Sequence, residues 1–421
     1  MSSACVIYKI SEVPGFSELL GENGVLDSES KTLKLCKTNV VTRNNQSYKV
    51  IRYDKNFLSF DLISQNGLLR SVIINGNNRI VSFAPPKSIA WDTFVKENPV
   101  KTSDIVAEEF VEGTMINVFW DSTAGLSGAW ELATRNSVGG EVSFFKNANA
   151  KTFRTMFLEA ASKSNFELNM LNPLFCYSFV LQHPDNRIVV PFKTPQLYLV
   201  AVYEICHTEG GVVNIIQSDM EIVKKTGLWD QTSIKFPQIY ENWSVYDDLK
   251  SQYSSMNTSY EILGVVVRNK QTGVRTKLRN PVYENVRHLR GNQPKMQYQY
   301  LSLRKNGSVG EFLKYYPEYK KDFAFFRKGL HDFTFALYEN YVSCYIKKEK
   351  PLLEFADNFR THMFHIHKKY IDELKPKNEF ITNSEVIKYV NEMPTTLQMY
   401  SLNYNMRKRR QDFIAVEAND E

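Results

Sequence analysis

The 421-residue chain has no uninterrupted apolar run of membrane-spanning length, which excludes a transmembrane helix as its organising element. Its opening residues, MSSACVIYKISEV, lack the basic flank and apolar core of a signal peptide, so the expectation is a protein made and kept in the cytosol with no membrane partner. The cysteines Cys5, Cys36, Cys176, Cys206 and Cys344 are odd in number and widely spaced. That pattern supports neither a disulfide framework nor a CxxC zinc site, and they read as free thiols. No lysine occurs between Lys101 and Lys146, an absence whose weight depends on what lies between them.

What is present is the composition of a folded chain: 43% hydrophobic and 23% charged, which excludes disorder over most of its length. The length suggests two or three domains. The formal charge of +6 is uneven, because residues 281–421 hold 23 Lys and Arg against 18 Asp and Glu, leaving 29 against 28 for the rest. A basic last third suits a phosphate-backbone partner.

Between those two lysines lies EEFVEGTMINVFWDSTAGLSGAWELATRNSVGG, from Glu108 to Gly140. Met115 to Trp120 and Trp130 to Thr134 are apolar strands, and Asp121 to Gly128 is the turn joining them. Upstream, YKVIRYD, FLSFDLI, LLRSVIING and RIVSFAPPKSIAW alternate apolar and polar residues between turns, the pattern of an antiparallel sheet. Downstream, Lys146 to Lys163 is helical. FCYSFVLQHPDNRIVVPF reads as a strand, a turn over His183 to Asn186, and a second strand starting at Arg187. Asp219 to Gly227 is helical, and Ser259 to Pro281 is a hairpin turning at Lys270 to Gly273. From there Glu311 to Lys321, Asp322 to Lys347, Leu352 to Tyr370 and Ser384 to Asn391 show helical spacing.

Three stretches resemble one family in the right order. VEGT followed by TRNS resembles the first motifs, KxEG and then a basic residue before a small one, of the covalent nucleotidyltransferases: RNA ligases, DNA ligases and mRNA capping enzymes. PDNRIV resembles the pattern FExxxPxNRIV of phage-type RNA ligases. Leu263 and Gly264, with Lys277, Leu278 and Arg279, stand where that family has an EG pair and then KxK. The resemblance, which runs from Tyr48 to Asn280, is to ATP-dependent RNA ligases of the T-even phage RNA ligase 1 type. It implies an α+β nucleotidyltransferase (ATP-grasp-like RNA ligase) fold of antiparallel sheets with helices, plus an all-α C-terminal domain. The expected layout is an unassigned segment 1–45, a ligase-like domain 46–285, a helical domain 286–405 and a disordered tail 406–421.

The resemblance also implies what has changed. Phe110 stands at the nucleophilic lysine, and a phenyl ring cannot attack a phosphate. Val180 and Leu263 stand at the acidic positions, where carboxylates hold a divalent ion. The three apolar residues are expected to lie together on one side of a sheet. The matched positions that bind without reacting are Glu112 and Gly113, with the acid receiving a ribose, and Arg135, Lys277 and Arg279 facing phosphates. Arg70 and Lys87 stand where phage-type ligases hold a triphosphate. The expected function is an RNA ligase-like, catalytically inactive protein that binds RNA ends or nucleotide, with ATP and Mg²⁺ as the implied cofactors, RNA as partner and protein partners besides. The alternatives are an active ligase with a displaced nucleophile, and a viral structural or scaffold protein. Two further groups weigh less. Glu261, two residues before Leu263, reads as an exposed strand-end charge rather than a shifted metal ligand. His362, His365 and His367 lack a matching Cys or carboxylate and read as a helical surface.

Overall fold

The computed structural model describes residues 6–16, 35–59, 62–144, 150–208 and 212–407. The chain forms two compact units, Met1–Arg287 and His288–Glu421, and the division falls inside the helix Pro281–Arg290.

In chain order the strands of the first unit are β1 (Val6–Lys9), β2 (Cys36–Arg43), β3 (Gln46–Tyr53), β4 (Val72–Ile74), β5 (Ile80–Phe83), β6 (Ile105–Glu109), β7 (Thr114–Asp121), β8 (Ala129–Ala133), β9 (Phe175–Gln182), β10 (Gln196–His207), β11 (Val213–Gln217), β12 (Ile239–Tyr240), β13 (Gly264–Asn269) and β14 (Arg275–Arg279). They make three sheets: six strands in the order β1-β11-β10-β9-β7-β8, four in the order β12-β6-β13-β14, and four in the order β2-β3-β4-β5. Every pairing between named strands is antiparallel.

Period-two alternation explains where each sheet buries its side chains. In β10, Val202 joins one core with Phe157, Phe179 and Trp229, while Ala201 and Tyr203 join another with Tyr48, Phe83 and Phe119. The β7–β8 turn is tied to the N-terminal sheet through buried Asp121, which accepts from Tyr48 Oη at 2.9 Å and Asn75 Nδ2 at 3.0 Å. Glu131 of β8 accepts from Arg43 of β2 at 2.8 Å.

Three expectations fail here. Residue 45 is not a boundary, because Cys36–Arg43 pairs across it with Gln46–Tyr53 and Val6–Lys9 pairs with Val213–Gln217. In FLSFDLI the described residues, 57–59 and 62–63, form no strand. The Asp54 carboxylate accepts from Asn56 N at 3.1 Å, its carbonyl accepts from Phe57 and Leu58, and Ile63–Asn66 is a short helix. No strand starts at Arg187, for a reason that belongs to the site below. The helical onset at Lys146 and the tail from residue 408 lie outside the described residues.

The second unit is helical: Met296–Lys305, Val309–Tyr315, Lys320–Tyr341, Asp357–Lys369, Asn383–Glu392 and Thr395–Leu402. The long helix Lys320–Tyr341 buries Phe323, Leu330, Phe333, Leu337 and Tyr341 along one stripe. His362 is buried within this unit, hydrogen-bonded by Nδ1 to Tyr389 Oη and by Nε2 to Ser401 Oγ, both at 2.9 Å. Both ring nitrogens are thus committed, and burial holds the imidazole below its ordinary pKa. His365 is exposed, and no group of three metal-ligating side chains occurs among the described residues.

Candidate functional site

The candidate site lies on one face of the sheet β12-β6-β13-β14. In β14 the sequence RTKLR alternates. Thr276 is fully buried and Leu278 packs against the core of Phe94, Tyr246 and Leu249, so Arg275, Lys277 and Arg279 point to the other face. On the neighbouring strand β13, Gly264 pairs with Arg279 and Val266 with both Lys277 and Glu108. Phe110, just past the end of β6, lies under these cations. Lys277 Nζ is 4.2 Å from its ring centroid and the Arg279 guanidinium carbon 5.4 Å, which is cation–π contact.

Four cations here have no carboxylate. Among the described residues Arg70, Lys87, Arg275 and Lys277 make no ion pair, whereas Arg279 pairs with Glu284. What holds the guanidinium groups is backbone. Arg70 Nη1 donates to the Pro85 carbonyl at 3.2 Å, and Arg275 donates through Nε to the Pro86 carbonyl and through Nη2 to the Pro85 carbonyl, both at 3.0 Å. The two carbonyls orient the arginines side by side without neutralising either.

The electrostatic effect is visible at each group. Burial, then Arg275, Arg70 and Arg279, hold the Lys277 amine well below the ordinary lysine range. Burial and Arg275 are the main causes that bring Arg70 down to about 10, with Arg135 adding to them. Burial, then Arg70 and Lys55, lower Lys87. Arg70 is therefore the hub through which Lys87, Arg135, Arg275 and Lys277 form one positive region. Arg135 stacks over Tyr53 at 5.1 Å, and its Nε is buried without an acceptor. Arg275 escaped the sequence reading, although the signal was there: it is the residue two before Lys277 on the same strand face.

Glu112 is committed elsewhere. Its carboxylate accepts from Val189 N at 2.8 Å and Val190 N at 3.1 Å, and from the Tyr283 hydroxyl. Burial raises its pKa to about 7 despite these donors. This explains why no strand starts at Arg187: the amides of Val189 and Val190 serve the carboxylate, so they are not available to a ladder. PDNRIV works as a brace. Asn186 Nδ2 donates to Thr114 Oγ1 at 2.8 Å, Arg187 Nε donates to the Val189 carbonyl at 2.9 Å, and His183 Nε2 sits 2.9 Å from Glu159.

The two glycines of the motifs are set by sterics. Gly113 has φ 147°, and a Cβ there would strike the Leu181 carbonyl oxygen and sit 2.7 Å from Val180 Cγ1; Gly264 has φ 138°, and its Cβ would strike the Leu278 carbonyl oxygen. Val180 and Leu263 are buried, at 6% and 8% exposure. The expectation that Phe110, Val180 and Leu263 share one sheet fails. Val180 belongs to β9 of the six-stranded sheet, while Phe110 and Leu263 flank strands of the four-stranded one. The backbone accounts for this, since the chain crosses from one sheet to the other at Val111–Gly113, between β6 and β7. Glu261 is exposed. Neither Val180 nor Leu263 offers an oxygen, so the residues present do not fit a divalent ion at those two positions.

No family model matches the chain. It is 24% identical over 275 residues to an RNA ligase of Rhodothermus phage RM378, over 59% of this chain and 58% of that protein, so it spans under two thirds of the relative's length. Among solved structures it is similar to an archaeal ATP-dependent RNA ligase, with 14% identity and a TM-score of 0.40 over 72% of this chain and 71% of that one. A Naegleria gruberi RNA ligase variant determined with ATP and Mn aligns with 13% identity and a TM-score of 0.34, over 48% of this chain and 58% of that one.

Proposed function

We propose that this chain is an RNA ligase-like nucleotidyltransferase that has kept the binding of RNA ends or nucleotide in RNA repair or processing and has given up the covalent step. The observation that carries the reading is the stack of Lys277 and Arg279 on Phe110. A ring stands where the resemblance puts the nucleophile, and among the described residues the cations above it pair with no carboxylate beyond Glu284. Buried positive charge without a partner is costly to keep, and phosphate is the anion whose geometry suits an Arg and Lys face. ATP fits this region through its phosphates; Mg²⁺ does not fit at Val180 and Leu263.

The experiment is single-stranded RNA affinity across a salt series, with the double variant Lys277→Ala, Arg279→Ala beside the parent protein. Each cation that touches a phosphate contributes roughly one unit or less to the slope of log K against log salt. The expected outcome is weaker binding and a shallower slope. Unchanged affinity and slope would remove this face from the binding site and leave the scaffold reading in the lead.

A second reading rests on Lys277 alone. Its amine is held well below the ordinary lysine range and sits against Phe110, where a displaced nucleophile would stand. In that reaction Nζ would form a P–N bond to the α-phosphorus of ATP, pyrophosphate would leave, and the amine would lose a proton. Peptide mapping after incubation with ATP and Mg²⁺ reads it directly, as AMP on Lys277.

A further inference from the structure

We infer that the positive region takes the triphosphate chain of a nucleoside triphosphate or of a 5′-triphosphate RNA end by side-chain cations alone, with no divalent ion in the bound complex. The inference rests on the binding reading above and adds to it the ligand class and the means of charge balance. Two independent observations carry it. One is the unpaired set Arg70, Lys87, Arg275 and Lys277, of which Arg70 and Arg275 are aimed by the uncharged carbonyls of Pro85 and Pro86. The other is the burial of the aliphatic residues Val180 and Leu263, which offer no side-chain oxygen at the positions where the resemblance places metal-holding carboxylates.

The charge arithmetic agrees. A triphosphate carries one negative charge on each phosphate and a further one at its terminus, and the cations without an ion pair among the described residues, Arg70, Lys87, Arg135, Arg275 and Lys277, are enough to balance it without help. A metal ion bridging the same phosphates would add positive charge to a region where Arg70, Arg275 and Lys277 already repel one another and where, among the described residues, the carboxylates of Glu108 and Glu284 pair with Arg268, Arg279 and Arg287 instead. Other phosphate sites combine such cations with a metal ion; here the side chains supply the positive charge and no side-chain oxygen at Val180 or Leu263 holds a metal beside them. Arginine suits the task because its planar fork donates two parallel hydrogen bonds to phosphate oxygens.

The test is equilibrium binding of three probes to the full chain: inorganic tripolyphosphate, ATP, and a short RNA with a 5′-triphosphate. Each is titrated once with Mg²⁺ and once with EDTA, beside the same RNA with a 5′-hydroxyl. Expected is binding of the triphosphate probes in EDTA with affinity within about threefold of that in Mg²⁺. Loss of about tenfold is expected in Lys277→Met and in Arg275→Met, because a charge-assisted hydrogen bond is removed in each. ATP competing as strongly as the RNA assigns the site to free nucleotide, and RNA competing more strongly assigns it to RNA ends; either supports the inference. Binding that needs Mg²⁺, by about tenfold or more, overturns metal independence while the binding reading stands. No binding of any triphosphate probe overturns the inference, and binding of the 5′-hydroxyl RNA then decides whether the broader reading survives. Circular dichroism and thermal melting of Arg275→Met separate a fold defect from a lost contact, and Arg275→Lys, which keeps the charge, is expected to recover part of the affinity.

Discussion

Strands β9 and β14 contribute to the same region in opposite ways. β14 carries Arg275, Lys277 and Arg279 on one face and leaves two of them without a carboxylate. β9 places Val180 beside Gly113 and tethers the Glu112 carbonyl through Gln182 Nε2 at 3.0 Å, but carries no charged side chain. Under the binding function proposed above, the difference means that holding phosphate and activating it are physically separable. Cations on a strand face need only alternation and a nearby loop to aim them, whereas metal-assisted transfer needs a nucleophile and carboxylates placed together to within about 1 Å. Removing the second set leaves the first intact.

The comparison breaks most severely at the start of β13, where Gly264 pairs with Arg279. Gly264→Ala forces a Cβ onto the Leu278 carbonyl oxygen at φ 138°, so a loss of about 3 kcal/mol or more is expected by denaturant titration. A loss below about 1 kcal/mol would mean that the β13–β14 junction relaxes and does not fix the cations.

Glu112 gives an effect of similar size with a defined pH window. Folding raises its pKa from 4.5 to about 7, so the folded chain holds this proton more tightly than the unfolded one. The stabilisation is full below 4.5 and is lost as pH rises through 7, a span of about 3 kcal/mol. Glu112→Gln should flatten the stability–pH profile between those values, and an unaltered slope would show that burial does not hold the proton on this carboxyl.

Smaller effects sharpen the contrast at Phe110. Phe110→Lys sets a third cation against Lys277 and Arg279 and is expected to cost about 2 kcal/mol. Restoring the amine alone should still yield no adduct with ATP and Mg²⁺, because Val180 and Leu263 remain. Phe110→Leu, which removes only the ring face under the two cations, should cost about 1 kcal/mol. The smallest effect lies in the helical unit and has the opposite pH sign. His362 is held below its ordinary 6.5, so its contribution is present above that pH and is lost on acidification. Amide protection factors in Asp357–Lys369, which remove the intrinsic pH dependence of exchange, should fall as pH drops below 6.5, and His362→Gln should blunt that response.

Much of this was legible in the sequence because it is local. Alternation located the β7–β8 and β13–β14 hairpins, and three- and four-residue spacing located the long helices. Non-local pairing was not legible: nothing in VIYK says that it will pair with Val213–Gln217. Nor did alternation reveal what competes for a backbone amide. RIVV has the composition of a strand, but the Glu112 carboxylate takes its amides first. Asp54 ends β3 by the same kind of competition, which is why no strand continues into Phe57–Ser59. At the site, the motif positions were readable one by one. Their grouping was not, because Arg275 has no motif of its own and the Pro85–Pro86 carbonyls that aim it are backbone atoms.

The central claim, binding without covalent chemistry, meets its most direct test in one sample: the full chain with ATP labelled at the α-phosphate and Mg²⁺, measured first for bound nucleotide at equilibrium and then for label on the protein after denaturation. The account predicts bound nucleotide before denaturation and none after it. Label that survives on the protein would contradict it, and its attachment to Lys277 would turn the same geometry into an active site.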